Sequence, residues 1–149
     1  MGKDRLKGCP EEVRAFYRYW DGKRRGRLMP ARADIEPGEI KAFLPSLMIV
    51  DKVADDRRYV YRLVGTREAE IRGFDPTGKS VPEAASGGAE AAVANYDKVV
   101  RTRDLLVDAS EAVSPDERYR DTVCIFLPLS DDGETVNKIL VYTHQVRQF

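Results

Sequence analysis

Cysteine and histidine are scarce in this chain of 149 residues, which has two cysteines, Cys9 and Cys124, and one histidine, His144. Two cysteines cannot build a disulfide framework, and no CxxC or HxxxH spacing is present for a zinc site. A catalytic triad or Cys–His pair would have to use His144, five residues from the C-terminus, where chain ends fray. The sequence therefore predicts no catalytic and no metal-binding residues.

Long hydrophobic runs are also absent. The longest apolar stretches, residues 47–50 and 123–129, are far shorter than the ~20 residues that a membrane-spanning helix needs. Residues 1–10 include basic side chains but no apolar region of the kind that a secretory signal contains. We therefore expect a cytoplasmic protein without a membrane span.

Charge is balanced in total but unevenly distributed. The chain has 25 basic and 25 acidic residues, yet residues 1–32 hold ten basic and four acidic ones. The basic peak at residues 23–27 can mark a nucleic-acid contact or form a solvated loop. No aromatic residue interrupts the run to stack on bases, and no helix-turn-helix or zinc-finger spacing lies near it. The pattern favours the solvated loop and makes a nucleic-acid partner unexpected.

Apolar periodicity predicts helices in the first part of the chain. Pro10 and the acidic pair after it are typical of a helix start. A helix over 11–21 is predicted because four apolar residues recur at i, i+3, i+4 and i+7: Val13, Phe16, Tyr17 and Trp20. A second, shorter helix is predicted over 37–43.

The hydrophobic period changes from 3.6 to 2 after Pro45, which indicates strands. A polar connection at residues 54–57 predicts a hairpin between the first two strands. Arg62 is a charged residue within the second strand, and it indicates either a solvated sheet face or an anion contact. A helix is predicted over 89–103, and three strands after it form a meander. The predicted strands are 46–53, 58–65, 105–113, 118–129 and 136–146.

Five sequence blocks occur in order at compatible spacing: LMPARADIEP at 28–37, LP at 44–45, YVYRLVGT at 59–66, TGK at 77–79 and LPLSDDG at 127–133. Together they resemble a family of short, mostly stand-alone bacterial PAS-domain proteins, over about residues 11–143. The resemblance implies an α+β PAS fold, a five-stranded antiparallel sheet with helices on one face and an N-terminal flanking helix. Residues 1–22 would be that flanking helix, and residues 23–149 would be a single PAS domain.

The resemblance also implies a sensory or interaction module in bacterial signalling rather than an enzyme. Flavin photosensors of this superfamily need a cysteine on the helices after the second strand, and residues 66–80 contain none. Haem-binding members take an axial histidine from the long helix, and residues 89–103 contain none. We therefore expect no cofactor.

Two functions remain open at this point. The first is a non-enzymatic module that acts through contacts with a signalling protein that the sequence does not name. The alternative is a sensor that binds a small molecule between the sheet and the helix at 89–103. The candidate ligand-binding residues are Tyr59, Tyr61, Leu63, Val93, Tyr96 and Val100. Because these walls carry no charge, an uncharged or weakly polar ligand is expected.

Dimerisation through flanking helices and the outer sheet face is implied by the same resemblance. The apolar stripe of the helix at 11–21 is one that a compact PAS core need not bury. Val13, Phe16, Tyr17 and Trp20 are therefore candidate dimer-interface residues, and a homodimer is expected. Packing of the stripe on the chain's own core is the alternative.

Overall fold

The computed structural model describes residues 6–84, 88–110 and 119–148. Within these ranges the α-helices are α1 (Glu11–Arg24), α2 (Thr66–Arg72), α3 (Val81–Ala84) and α4 (Ala89–Thr102). The strands are β1 (Leu47–Lys52), β2 (Tyr59–Val64), β3 (Leu106–Ser110), β4 (Tyr119–Leu129) and β5 (Lys138–Gln148). Short 3-10 helices occupy Arg32–Asp34, Pro37–Glu39 and Leu44–Ser46.

The five strands form one antiparallel sheet in the order β2-β1-β5-β4-β3. The predicted hairpin of β1 with β2 and the meander of β3, β4 and β5 are both confirmed. The pairing of β1 with β5 joins the two halves of the chain into one sheet, whose edge strands are β2 and β3. The turn that the sequence predicts at 114–117 lies outside the described residues.

Helices cover both faces of the sheet. Register places Tyr142 opposite Ile125 and Phe126 opposite Val141, so Tyr142 and Phe126 point to opposite faces. The ring of Phe16 in α1 lies 5.3 Å from that of Tyr142, and the ring of Tyr96 in α4 lies 5.4 Å from that of Phe126. We call the face under α4 the inner face and the face under α1 the outer face. The predicted PAS sheet is thus confirmed, and its flanking helix covers the face opposite α4.

The apolar stripe of α1 is buried within the chain itself. Its four residues, Val13, Phe16, Tyr17 and Trp20, are each at most 8% exposed and belong to the same core cluster as the sheet. The indole Nε1 of Trp20 donates a hydrogen bond of 2.9 Å to the carbonyl oxygen of Pro128. The expectation that the core leaves this stripe for a second copy therefore does not hold, because the chain's own outer face occupies it.

A β-bulge changes which side chains of β2 face inward. Ile49 pairs with Leu63 and Val50 pairs with Tyr61, which leaves Arg62 as an extra residue in β2. Leu63 then follows Ile49 to the outer side and is 39% exposed, whereas Tyr61 is 2% exposed. Leu63, a candidate ligand-binding residue, therefore does not share the inner face with Tyr61. The extra residue, Arg62, bonds through Nε to the Asp51 carboxylate at 2.7 Å.

The helix predicted over 37–43 is not an α-helix. Its place is taken by the 3-10 helix Pro37–Glu39, a turn, and the 3-10 helix Leu44–Ser46. A segment bounded by prolines is too short to repay the nucleation of an α-helix. Ile40 is nevertheless buried.

The basic run at residues 23–27 folds back on this 3-10 segment. Lys23 Nζ lies 2.8 Å from Glu39 Oε1, and Arg27 Nη2 lies 2.8 Å from Asp34 Oδ2. α1 ends at Arg24 and is followed by Arg25, whose φ of 51° lies in the left-handed region. Arg24 also pairs with Asp21, so three cations of the run are paired with carboxylates of the chain. This leaves less charge for a nucleic-acid contact than the sequence pattern indicates.

Candidate functional site

A cavity of about 230 Å³ lies between the inner face and α4, with α2 along its side. The sheet contributes apolar side chains, among them Met48, Phe126 and Val141. Tyr61 of β2 and Tyr96 of α4 add aromatic rings. This is the position at which the resemblance predicted a ligand.

The six candidate ligand residues are not brought together. Tyr61 and Tyr96 line the cavity, and both are buried. The ring of Tyr59 lies 5.2 Å from that of Tyr96, but its hydroxyl donates to Asp97 Oδ1 at 2.6 Å beside a surface groove. The other three do not line the cavity: Val93 borders another surface groove, Val100 packs on the core, and Leu63 is exposed.

A charged pair on α2 forms part of the wall. Glu68 and Arg72 are four residues apart, so both side chains leave the helix on one face. Glu68 is 6% exposed, and its Oε1 lies 3.5 Å from Arg72 Nε, longer than a usual hydrogen bond. The guanidinium of Arg72 also lies over the ring of Tyr61, 4.9 Å from its centroid. The premise that the cavity walls carry no charge is therefore wrong.

Sequence reasoning predicts a short helix here but missed this pair because it assigned no functional residue to that helix. The available signal was the spacing of Glu68 and Arg72 in a seven-residue helix that directly follows an inward-facing strand. That spacing places both groups on one face of α2 but cannot show which way the face points. The rotation of α2 depends on its packing against the 3-10 helix Leu44–Ser46, which it contacts.

Burial controls the protonation of the groups around the cavity. It raises the pKa of Glu68, although Arg72 and the Thr143 hydroxyl pull in the opposite direction. Burial lowers the pKa of the Arg72 guanidinium, but Tyr61 and Glu68 raise it by more, so that the net shift is upward. Burial also raises the pKa of the Tyr96 hydroxyl well above its ordinary value of 10.0. Arg72 is therefore cationic, and the Tyr96 hydroxyl stays protonated near neutral pH.

Cys124 also lines the cavity, with its Sγ 3.4 Å from the hydroxyl oxygen of Thr143. Burial raises the pKa of this thiol to about 12. The thiol is therefore protonated at neutral pH and is a poor nucleophile.

Two polar atoms at the cavity have no hydrogen-bond partner among the described residues. They are Glu68 Oε2 and Arg72 Nε, and both are buried. A buried polar atom without a partner is destabilising by about 1–3 kcal/mol, so such atoms are rare in folded proteins. One is an acceptor and the other is a donor, on neighbouring side chains of one helix face.

His144 does not line this cavity, although it follows the lining residue Thr143 in β5. Its Nδ1 is 3.1 Å from the Tyr142 hydroxyl, and its Nε2 is 3.9 Å from Glu12 Oε1. Across residues 6–84, 88–110 and 119–148, no cluster of three or more potential ligands could hold a metal ion. None of the helices in the same ranges is long and apolar enough to cross a membrane.

A five-stranded antiparallel sheet in this order, with a helix and a cavity on its inner face, defines a sensory domain of the PAS type. A sequence model described as "PAS domain" matches residues 10–142. The chain therefore belongs to the PAS domain family. No curated protein matches it by sequence.

Several solved structures share the fold. A sensory box sensor histidine kinase from Vibrio cholerae is 20% identical with a TM-score of 0.56, and the match covers 75% of this chain and 90% of that chain. The PAS domain of Bordetella pertussis BvgS is 15% identical with a TM-score of 0.59, over 74% of this chain and 83% of that chain. A Rhodobacter sphaeroides LOV protein is 9% identical with a TM-score of 0.50, and the match covers 75% of this chain and 69% of that chain. At these identities the likeness shows the fold alone.

Proposed function

We propose that this PAS domain is a sensor that binds a small molecule in the cavity between the inner face and α4. The observation that carries the proposal is the pair of buried atoms without partners, Glu68 Oε2 and Arg72 Nε, at the cavity wall. A ligand that bonds to both atoms removes the free-energy cost of leaving them unpaired. Apolar walls with a few placed polar groups are typical of small-molecule sites.

Native mass spectrometry of freshly purified protein tests this proposal. A bound ligand adds mass that is lost on denaturation. Ala92→Leu places a larger side chain in the cavity wall, and we expect it to remove the added mass. Ala94→Leu on the same helix is the matched control, because Ala94 borders a surface groove instead. Protein that carries no added mass and takes up none from a cell extract would contradict the proposal.

Tyr96→Phe tests the role predicted for the Tyr96 hydroxyl. A ligand that uses this buried hydroxyl should bind more weakly by about 1–3 kcal/mol in the variant. Tyr19→Phe is a suitable control, because the Tyr19 hydroxyl bonds to Glu39 Oε1 at 2.8 Å, outside the cavity. Equal ligand affinity in wild type and Tyr96→Phe would remove the hydroxyl from the site while leaving the cavity proposal in place.

For the output of the sensor, we propose contacts with a signalling protein rather than a reaction. The resemblance to PAS domains, including that of a sensor histidine kinase, supports a role in signal transduction. A homodimer stays a prediction, and α1 restricts it to surfaces other than the apolar stripe that the outer face buries. Light scattering over a range of concentrations tests it, and a monomer at every concentration would contradict it. A cytoplasmic location likewise stays a prediction of the sequence.

A further inference from the structure

The wall of the cavity carries a donor and an acceptor side by side. Arg72 Nε offers a buried N–H, and Glu68 Oε2 offers a buried lone pair, each without a hydrogen-bond partner among the described residues. Glu68 is more than nine-tenths buried and lines the cavity. Arg72 has other neighbours: its Nε lies 3.5 Å from Glu68 Oε1, its Nη2 lies 3.5 Å from Met48 Sδ, and its guanidinium interacts with Tyr61, over whose ring it lies.

We infer that the ligand is a small uncharged molecule that carries a hydrogen-bond donor beside an acceptor, as an amide does, and that it seats on Glu68 and Arg72. This inference rests on the function proposed above and names the chemical class of its ligand. The amide oxygen would accept from Arg72, and the amide N–H would donate to Glu68. Both unpartnered atoms would then be satisfied by one group.

Charge balance argues against a charged ligand. Glu68 and Arg72 compensate each other, so an added carboxylate lies close to the Glu68 carboxylate and an added ammonium lies close to Arg72. The third charged lining group is Asp108, whose carboxylate accepts a hydrogen bond of 3.0 Å from Asn95 Nδ2. Asp108 already has this partner and is only partly buried, whereas Glu68 is only 6% exposed.

The size and shape of the cavity limit the ligand to about one ring. A volume of about 230 Å³ is below the ~300–1,000 Å³ usual for sites of drug-sized ligands. The rings of Tyr61, Tyr96 and Phe126 line it, and those of Tyr96 and Phe126 meet edge to face at 78°. Aromatic walls of this kind favour a flat, apolar ring that carries the amide at its edge.

Three probes with one ring and similar size separate the charge classes. Benzamide offers a donor and an acceptor, benzoate offers acceptors and a negative charge, and benzylammonium offers donors and a positive charge. Affinities are measured with the wild-type protein by NMR titration of ¹⁵N-labelled backbone amides, with no substitution needed. We expect benzamide to bind roughly tenfold more tightly than either charged probe, since each charged probe leaves one buried atom unpaired.

Glu68→Gln tests the residue assignment. The variant removes the negative charge that compensates Arg72, so we expect its preference to shift from benzamide towards benzoate. Glu70→Gln on the same helix is the control, because Glu70 is exposed and does not line the cavity, and it should keep the wild-type ranking. If Glu68→Gln fails to fold, Arg72→Lys keeps the charge but removes Nε, and it should weaken benzamide binding.

The outcomes separate this inference from the proposed function. Tighter binding of benzoate or benzylammonium by the wild type, or a ranking that Glu68→Gln leaves unchanged, overturns the amide assignment. Failure of all three probes to bind also overturns it. The cavity function is judged independently by the mass that Ala92→Leu removes and Ala94→Leu retains, so a charged co-purified ligand would support the sensor and contradict the amide class.

Discussion

Gly65 lies where α2 begins, and replacing it by alanine should destabilise the domain. A Cβ at this position would lie 2.3 Å from the carbonyl oxygens of both Leu44 and Pro45. Ordinary contacts of a Cβ atom begin near 3.4 Å, so the two carbonyls must move by about 1 Å. The backbone of Gly65, with φ −67° and ψ 156°, suits any residue, so the effect is one of space alone.

The expected loss follows from this crowding. Overpacking a close contact typically destabilises by about 1–3 kcal/mol. Moving the segments apart also strains the hydrogen bond of 2.8 Å from Gly65 N–H to Leu47 O, which adds about 1 kcal/mol. We therefore expect Gly65→Ala to lower the free energy of unfolding by about 2–4 kcal/mol. Because α2 carries Glu68 and Arg72, ligand binding should weaken in the same variant.

Gly22→Ala is the matched control for this experiment. Gly22 lies within α1, and a Cβ there would meet nothing within 4 Å. Alanine should stabilise that helix by roughly 0.5–1 kcal/mol, so the same chemical change has the opposite sign at the two positions. Urea unfolding followed by the fluorescence of Trp20, the only tryptophan, measures both. If Gly65→Ala were as stable as the wild type, the reasoning about this contact would be refuted.

Three further substitutions test contacts outside the cavity. Trp20→Phe loses the hydrogen bond to the Pro128 carbonyl, and circular dichroism during urea unfolding should show a loss of about 1–3 kcal/mol; an unchanged midpoint would contradict the docking of α1. Burial raises the pKa of Asp51, but hydrogen bonds from Lys138 and Arg62 lower it by more. The net pKa of Asp51 is therefore below its ordinary value of 3.8. The carboxylate therefore stabilises the fold above its ordinary pKa, and this contribution is lost as the pH falls through the folded-state value. Wild type, but not Asp51→Asn, should lose that part of its stability on acidification, and parallel acid profiles would count against the ion pairs. Tyr59→Phe loses the bond to Asp97 and should lower the melting temperature by the equivalent of about 1 kcal/mol, without changing ligand affinity.

Local sequence patterns were sufficient to predict those features of the fold that depend on interactions within a single helix or strand. The spacing of Val13, Phe16 and Trp20 predicts α1 because a helix turns by a fixed angle per residue. The end of α2 at Gly73 is also local, since a left-handed residue there, with φ of 86°, terminates the helix. The five strands could also be predicted locally, from the β-branched and aromatic residues and the short apolar runs along them.

Relations between elements required the tertiary structure. Leu63 turns outward because β1 and β2 pair with an extra residue at Arg62, and a register depends on two strands at once. The apolar stripe of α1 has the same sequence whether it packs on the chain's own sheet or on a second copy. The hydrophobic effect is non-directional, so the stripe does not specify which surface buries it.

The presence of charged groups in the cavity is also a feature that only the tertiary structure decides. From the sequence, Glu68 and Arg72 are two residues of opposite charge on one face of a short helix. Whether that face meets water or the cavity depends on how closely Gly65 approaches the carbonyls of the segment before β1. The sequence alone thus determined the PAS fold and its elements. Tertiary packing decided which polar groups the cavity contains, because the rotation of a helix is set by its neighbours.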